Sequence, residues 1–321
     1  MPQIATALSF GDHLGACKAR WGINRMNYLV PAGLYAIGEP GGASPVVVTA
    51  NYKMSFDLVR SALKGRSVWL LVLETFGINV WCAAGKGSFG TDELVRRVAK
   101  SRLSGVVSHR RLILPILGGP GVSAHLVKKH SGFDVAYATI RAADLPEYLD
   151  NGGVTTQAMR ELTFNWYERL VLVPVELVLV LKSTALIGGV LYLAALLSAG
   201  AGDAATLLSA YVGAVFTGTA VAPLFLPLLP GRSFAIKGAF AGIVYTLLLF
   251  AAAGDRWGIP TTAAAFLALP AVSSFFTLNF TGCTTYTSRS GVKKEMHLGL
   301  PVMGVALFAA LILLVAGKVL S

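Results

Sequence analysis

The second half of this chain is a succession of apolar runs, and that pattern constrains the fold more than any other feature. Five stretches, at 178–197, 207–229, 235–253, 261–280 and 298–319, each approach the ~20 residues a helix needs to cross a bilayer. Most charged residues precede Arg169. Charged residues make up 13% of the 321 positions and hydrophobic residues 55%, so too few charges remain beyond about position 160 to clothe a soluble surface. The expected organisation is a soluble domain at 1–160, a linker or interfacial helix at 161–177, broken by Pro174 and Glu176, and an all-α membrane domain of five transmembrane helices at 178–321.

The loops between these runs set an expected orientation. Loop 230–237 carries Arg232 and Lys237, and loop 282–297 carries Arg289, Lys293 and Lys294. On the opposite side, 200–204 holds only Asp203, and in 254–260 Asp255 and Arg256 cancel. Positive residues stay inside, so the N-terminal domain is expected in the cytoplasm and the C-terminus outside, in a multi-pass protein of the cytoplasmic membrane. Residues 1–16 contain no apolar core long enough for a cleavable signal peptide. The net charge of +11 would suit a nucleic-acid partner. Here the basic residues lie beside membrane runs and no nucleic-acid motif accompanies them, so the lipid membrane is the expected partner and nucleic acid is not.

The soluble part alternates between two periodicities. Strands are expected at 45–50, 67–73, 111–117 and 133–140, and helices at 55–63, 91–101, 122–130 and 143–149, with Thr91 or Asp92 capping the second of these. Alternating strands and helices imply an α/β, Rossmann-like layer with a largely parallel sheet. Ligands of such sheets bind at the loops beyond the strand C-termini, where residues 79–87 fall.

Cys17, Cys82 and Cys283 form no C-x-x-C pair, which argues against zinc, an iron–sulfur cluster or a disulfide framework, and the soluble part is expected in a reducing compartment. Gly85-Lys86-Gly87-Ser88-Phe89-Gly90 matches G-x-G-x-x-G, but the acidic residue expected about 20 positions on is replaced by Ser108-His109-Arg110-Arg111. A P-loop fails, because Val80 stands where its first glycine belongs and Gly87 follows Lys86. Cys82 itself admits two readings. It is a small buried core residue, as lone cysteines usually are, or a soft ligand. If Asn79 caps a short helix, Cys82 occupies its third position, where free amides and the nearby Lys86 favour a thiolate, and Trp81 supplies a flat wall. That set suits a borderline metal held inside a large flat cofactor.

Asn79-Val80-Trp81-Cys82-Ala83-Ala84-Gly85-Lys86 resembles, without a mismatch, the signature of the HgcA family of mercury-methylating corrinoid proteins. Gly33-Leu34-Tyr35-Ala36 and the stretch 44–56 (SPVVVTANYKMSF) are similar to the corrinoid domain of the large subunit of corrinoid iron–sulfur protein, over about 32–152. The resemblance implies a cobalamin-type corrinoid bound base-off, its nucleotide tail in the α/β domain and Cys82 as lower axial ligand to cobalt. It further implies that Thr49, Asn51, Asn79, Val80, Trp81, Cys82, Ala83, Ala84, Gly85, Lys86 and Gly87 line the lower face. Thr49 and Asn51 could equally be a hydrogen-bonded strand end, and Trp81 a packing residue. Gly118 and Gly119, in the run to Gly121, either approach the tail or simply make a turn. The D-x-H-x-x-G motif that supplies a histidine ligand in other corrinoid proteins is absent, since Asp12-His13-Leu14-Gly15 lacks its spacing.

The activity implied is a corrinoid-dependent methyltransferase of anaerobic metabolism that passes a methyl group from cobalt to Hg(II), forming methylmercury. Hg(II) is an electrophile and takes the methyl as a carbanion or radical equivalent, which an anionic thiolate on the opposite face of cobalt assists. Carbanion transfer leaves Co(III), whereas accepting a methyl cation requires Co(I), so a reductant is needed. The implied partners are an HgcB-type ferredoxin-like iron–sulfur protein and a methyl donor protein or methylated folate. A corrinoid methyl carrier with another acceptor would share every cofactor residue. A transporter with a soluble nucleotide-binding domain is disfavoured by the few charges inside the spans. The hydroxyl-rich stretch 279–288 reads as helix termination or as a docking surface with Cys283 relaying mercury. Glu168, Glu176 and Lys182 read as interfacial residues.

Overall fold

Two adjacent strands, β3 (Val46–Ala50) and β4 (Val68–Leu73), are buried along their whole length. A strand made of consecutive valines and leucines can be so only when both faces of its sheet are covered. A computed structural model of the chain describes residues 1–284 and 287–319 and shows that arrangement. The chain separates into two units, Met1–Thr163 and Phe164–Ser321.

The first unit is a six-stranded sheet in the order β1-β2-β4-β3-β5-β6, completed by β1 (Gln3–Ile4), β2 (Gly33–Ile37), β5 (Arg111–Leu114) and β6 (Asp134–Tyr137). Strands β4, β3, β5 and β6 run parallel, whereas β2 pairs antiparallel with β4. The mixed α/β fold agrees with the sequence reading. Strands β1 and β2 and the helix α1 (Phe10–Arg20) were not expected. β1 has two residues, and β2 shows only partial burial, so neither carries a strong period.

Alternate side chains of the central strands enter two cores. Val46, Val48, Leu71 and Leu73 pack with Ala83 and Ala84 of α3 (Val80–Lys86), Leu94 and Val98 of α4 (Thr91–Lys100) and Val127 of α5 (Ala124–Ser131). Val47, Leu70, Val72 and Ile113 pack with Phe56 of α2 (Lys53–Ala62) and with Leu145 and Tyr148 of α6 (Leu145–Asp150). Helices on both faces make this a doubly wound layer. The cap of α4 differs from expectation: Gly90 occupies it, in an extended conformation, and the Thr91 hydroxyl accepts instead from the Ser123 amide at 2.8 Å. A side chain at position 90 would meet the Gly87 carbonyl at 2.6 Å, so chain crossing rather than capping chemistry selects the residue.

The second unit is helical. It comprises α7 (Trp166–Leu170), α8 (Val173–Ala199), α9 (Ala201–Phe216), α10 (Ala222–Leu224), α11 (Phe234–Ala253), α12 (Ile259–Asn279) and α13 (Arg289–Val319), with a π-helical turn at Thr217–Val221 joining α9 to α10. Five helical segments are long and apolar enough to cross a membrane: Trp166–Ala199, Ala201–Leu224, Phe234–Ala253, Ile259–Gly282 and Ser290–Val319. The first starts earlier than read, because Pro174 falls in the opening turn of α8, where a missing amide costs nothing. Asn165 and Glu168 form a capping box on α7.

Helix α12 is the hub of this unit. Ser273 Oγ donates to Gly238 O at 2.8 Å, Ser274 Oγ to Ala235 O at 2.7 Å and Thr277 Oγ1 to Gly218 O at 3.0 Å. A Cβ at Gly238 would lie 2.6 Å from Thr277, so small residues and hydroxyls let these backbones approach, as in lipid-embedded bundles generally.

Candidate functional site

The C-terminal ends of the parallel strands β3, β4, β5 and β6 lie along one edge of the sheet, and β3 is followed by its neighbour on one side, β4, whereas β5 is followed by its neighbour on the other, β6. The reversal there is one of strand order, all four strands being parallel, and it makes the switch point where open α/β sheets bind ligands. A cleft of about 270 Å³ opens there, lined by Thr49 of β3, Ser55, Leu58 and Val59 of α2, and Asn79, Val80 and Trp81 at the start of α3. Ile113, Pro115, Leu117, Thr139 and Ile140 close its other wall. The lining is apolar apart from a few hydroxyls and one amide, which suits a flat, largely uncharged group.

Asn79 caps α3 as the sequence suggested. Its Oδ1 accepts from the Cys82 amide at 2.9 Å, so Cys82 is the third residue of the helix. The Cys82 side chain is exposed, whereas Ala83 and Ala84 are buried in the core. The alanines hold the helix to the sheet and leave Cys82 exposed, next in the chain to Trp81, which lines the cleft. Gly85, Lys86 and Gly87 are also exposed, and Gly87 ends α3 with a left-handed φ of 84°. The first two glycines of G-x-G-x-x-G therefore sit at the C-terminus of α3, the wrong end for cradling a dinucleotide phosphate, and only Gly90 stands at the start of a helix, α4.

The loop that delivers α3 is fixed from below by Asn51, which is fully buried. Asn51 Oδ1 accepts from the Thr75 amide at 3.1 Å, the Thr75 hydroxyl at 2.9 Å and the Gly77 amide at 3.2 Å, and its Nδ2 donates to Glu74 at 2.6 Å. Asn51 thus positions the site and presents nothing to the cleft. Glu93, also buried, accepts from the Glu74 amide at 2.9 Å and pairs with Arg96 and with Arg97 at 2.6 Å. Burial pushes the Glu93 carboxyl upward, but the Glu74 amide and the two guanidiniums outweigh it and hold the group below its ordinary value. Phe76, at the tip of this loop, is exposed with a φ of 56°, a strained conformation for an aromatic residue.

Gly118 and Gly121 serve packing. A Cβ at Gly118 would meet the Phe89 ring at 2.6 Å, and one at Gly121 would lie 2.1 Å from Phe89 O and 3.0 Å from Ala84 Cα. Gly119 is less crowded, 3.1 Å from Ile116 O. The turn 118–121 thereby clamps the end of α3. Sequence reasoning missed Ser55, Leu58, Pro115, Thr139 and Ile140; Thr139 and Ile140 stand just past β6, where the strand-end rule could have found them. Among the described residues no group of three or more His, Cys, Asp or Glu side chains could hold a metal ion. In the hydroxyl-rich stretch, Thr281 Oγ1 donates to Leu278 O at 2.7 Å and Thr287 Oγ1 to Thr281 O at 2.8 Å. Thr285, Tyr286 and the Cys283 side chain lie outside the described residues.

Residues 25–128 match the family CdhD, described as CO dehydrogenase/acetyl-CoA synthase delta subunit. Similar proteins include the acetyl-CoA decarbonylase/synthase complex subunit gamma of Methanopyrus kandleri, 32% identical over 127 residues, which are 39% of this chain and 27% of that one. The gamma subunit of Archaeoglobus fulgidus is 28% identical over 126 residues, 38% and 26% of the two chains. Subunit gamma 2 of Methanosarcina thermophila is 34% identical over 90 residues, 27% and 19%. The chain spans about a quarter of the length of the first two relatives. The matched region contains the cleft residues from Thr49 to Leu117 and the whole of α3, so the similarity to CdhD covers the candidate site.

Proposed function

We propose that the N-terminal unit binds a corrinoid through Cys82 and that the chain is a membrane-bound methyltransferase whose acceptor is Hg(II). The observation that carries the first part is an exposed Cys82 that follows directly on Asn79, Val80 and Trp81, three residues lining an apolar switch-point cleft. A cobalt corrinoid, when bound, supplies a metal that can carry a methyl group and release it to an acceptor. The residues present suit such a group. Cys82 would offer the metal a soft thiolate donor that adds electron density to it. Thr49, Asn79, Val80 and Trp81 would hold the nucleotide tail of a base-off corrinoid in the cleft, whose volume suits a tail rather than a whole ring. The exposed face of α3, with Gly85 and Lys86, would take the ring. Nothing lies within 4 Å of a Cβ built at Gly85, so that face is open to a close approach.

Mercury as acceptor rests on the eight residues Asn79 to Lys86 together with the five candidate spans, a pairing that resembles the HgcA family. In that reading the N-terminal unit is cytoplasmic and the C-terminus external. An HgcB-type ferredoxin supplies electrons, and a methyl donor protein or methylated folate supplies the methyl group. The similarity to acetyl-CoA decarbonylase/synthase subunits favours a second reading, a methyl carrier with another acceptor.

The purified chain is expected to show a corrinoid absorption spectrum, with cobalt–sulfur coordination by X-ray absorption. Only nitrogen or oxygen ligands in every oxidation state would remove Cys82 from the metal. Cys82→Ala is expected to abolish methylmercury formation while the chain still inserts in membranes. Methyl transfer to other acceptors with none to Hg(II) would select the second reading.

A further inference from the structure

At one end of the helical unit, α11 and α13 part to leave a groove of about 750 Å³. Its mouth carries Arg232 and Lys294, and its stem is apolar, formed by Ile236 and Ala239 on α11 and by Leu298, Val302 and Met303 on α13. We infer that this groove is a binding site for one phospholipid with an anionic headgroup, its phosphate between Arg232 and Lys294 and an acyl chain along the stem.

Three features argue for that occupant. The first is charge. Arg232 and Lys294 each bring a positive charge, and α11, a 20-residue helix, points its N-terminus at the same opening. Glu295, the acidic residue in the lining, accepts from the Ala235 amide at 3.2 Å and so lies against that helix end. The mouth therefore keeps a positive surplus, and Lys293 and His297 line the adjoining depression. The second feature is polarity along the groove. From Lys294 to Met303 the helix rises ~14 Å, close to the ~15 Å half-thickness of a bilayer's hydrocarbon layer. Charge at one end and an apolar wall from Leu298 to Met303 below match a lipid standing in one leaflet, not a water-soluble anion. The third is location. Both walls belong to candidate membrane spans, and Ile236, Leu298 and Val302 along them are exposed. Basic pockets between spans are where anionic headgroups are recognised in membrane proteins.

The test uses the full chain purified in a mild detergent. It is exchanged with palmitoyl-oleoyl phosphatidylglycerol or with the phosphatidylcholine of the same chains, and retained lipid is counted by native mass spectrometry. The wild-type chain is expected to retain one phosphatidylglycerol and little phosphatidylcholine. Arg232→Gln with Lys294→Gln should lower phosphatidylglycerol retention about thirtyfold, as loss of two interfacial charges at ~1 kcal/mol each implies. Leu298→Trp, which obstructs the stem and leaves both charges, should also lower it. Equal retention of the two lipids by wild type would overturn the assignment, as would unchanged retention in the double variant. Full retention in Leu298→Trp would place the lipid outside the groove and overturn it too. Thermal midpoints of the variants within a few degrees of wild type identify folded protein; if the double variant unfolds, Arg232→Gln and Lys294→Gln taken singly must each weaken retention.

Discussion

Replacing Asn51 tests whether the cysteine-bearing helix is held in place from beneath the sheet. One buried carboxamide oxygen serves three donors, the Thr75 amide, the Thr75 hydroxyl and the Gly77 amide, and its nitrogen is bound by Glu74. Asn51→Ala strips all four hydrogen bonds at a site with no exposed surface. Leaving two buried amides without partners costs ~1–3 kcal/mol each, offset in part by any water that enters, so a loss of about 3–4 kcal/mol is expected. For a unit of this size each kcal/mol moves the midpoint by ~2–4 °C, giving a fall of about 10 °C. Asn51→Asp is the informative companion. It keeps the oxygen that serves the three donors but sets a second carboxylate against Glu74, 2.6 Å from the present amide nitrogen. That pair shares a proton more easily when folded than when unfolded, so its folded pKa is raised. The repulsion is then felt near neutral pH and relieved as pH falls through the raised value. Thermal unfolding of the full chain in detergent measures the shift, and hydrogen exchange of peptides over 74–86 locates it. A midpoint within about 2 °C of wild type for Asn51→Ala, or a fall with unchanged exchange over that stretch, would refute the anchoring role.

The glycines of the site separate packing from approach. Gly121→Ala is expected to destabilise by about 2–4 kcal/mol, since its Cβ would strike backbone atoms at Phe89 and Ala84 that cannot step aside. Gly85→Ala meets nothing and should stabilise α3 by roughly 0.5–1 kcal/mol while impairing corrinoid retention, if the ring lies on that face; gain in both would unseat that placement. Asn79→Ala should cost ~1 kcal/mol of helix capping and raise amide exchange at Cys82; unchanged exchange would show that the cap is dispensable. The ion-pair cluster on α1 and α2 sets an acid limit. Lys53, the Ser9 amide and hydroxyl, and Arg60 hold the Asp12 carboxyl well below the usual carboxylate range against the opposing effect of burial. Its stabilisation is full above the unfolded value of about 4 and is lost as pH falls below that, so Asp12→Asn should flatten the acid arm of the midpoint-versus-pH curve; an unaltered arm would assign it to other groups.

The elements most legible in the sequence were those whose pattern left one structural solution. The run Val46-Val47-Val48 cannot be half-exposed, and Asn79 followed by a short helix leaves its oxygen one natural partner, the Cys82 amide. What stayed hidden depended on distant residues. Thr91 has the chemistry of a cap, but the approach of Gly87 and Gly121 moves the cap to Gly90 and spends the hydroxyl on Ser123. Asn51 reads as a ligand-facing polar residue at a strand end, and only the fold of 74–77 over it shows a residue consumed by the loop. The glycine pattern at 85–90 matched a phosphate-binding spacing, yet spacing alone does not say that its first two glycines close one helix, α3, and only the third opens the next, α4. Five apolar runs gave five candidate spans, and the first of them starts earlier than read because Pro174, a helix breaker in mid-helix, is harmless in a first turn.

Cys82 is informative because the fold makes no packing use of it. A lone cysteine usually earns its place as a small core residue, and the two alanines that follow it do that work here, both buried against the sheet. The helix needs an amide at position 82 for the Asn79 cap, and any residue but proline supplies one. Cys82→Ala and Cys82→Ser should therefore leave stability within about 0.5 kcal/mol of wild type, as exposed helical substitutions do. That neutrality is what lets a loss of cobalt–sulfur coordination or of methyl transfer in either variant be read as chemistry. A midpoint shift of several degrees would instead mean that the sulfur is a structural element, and the functional experiments on it would lose their meaning.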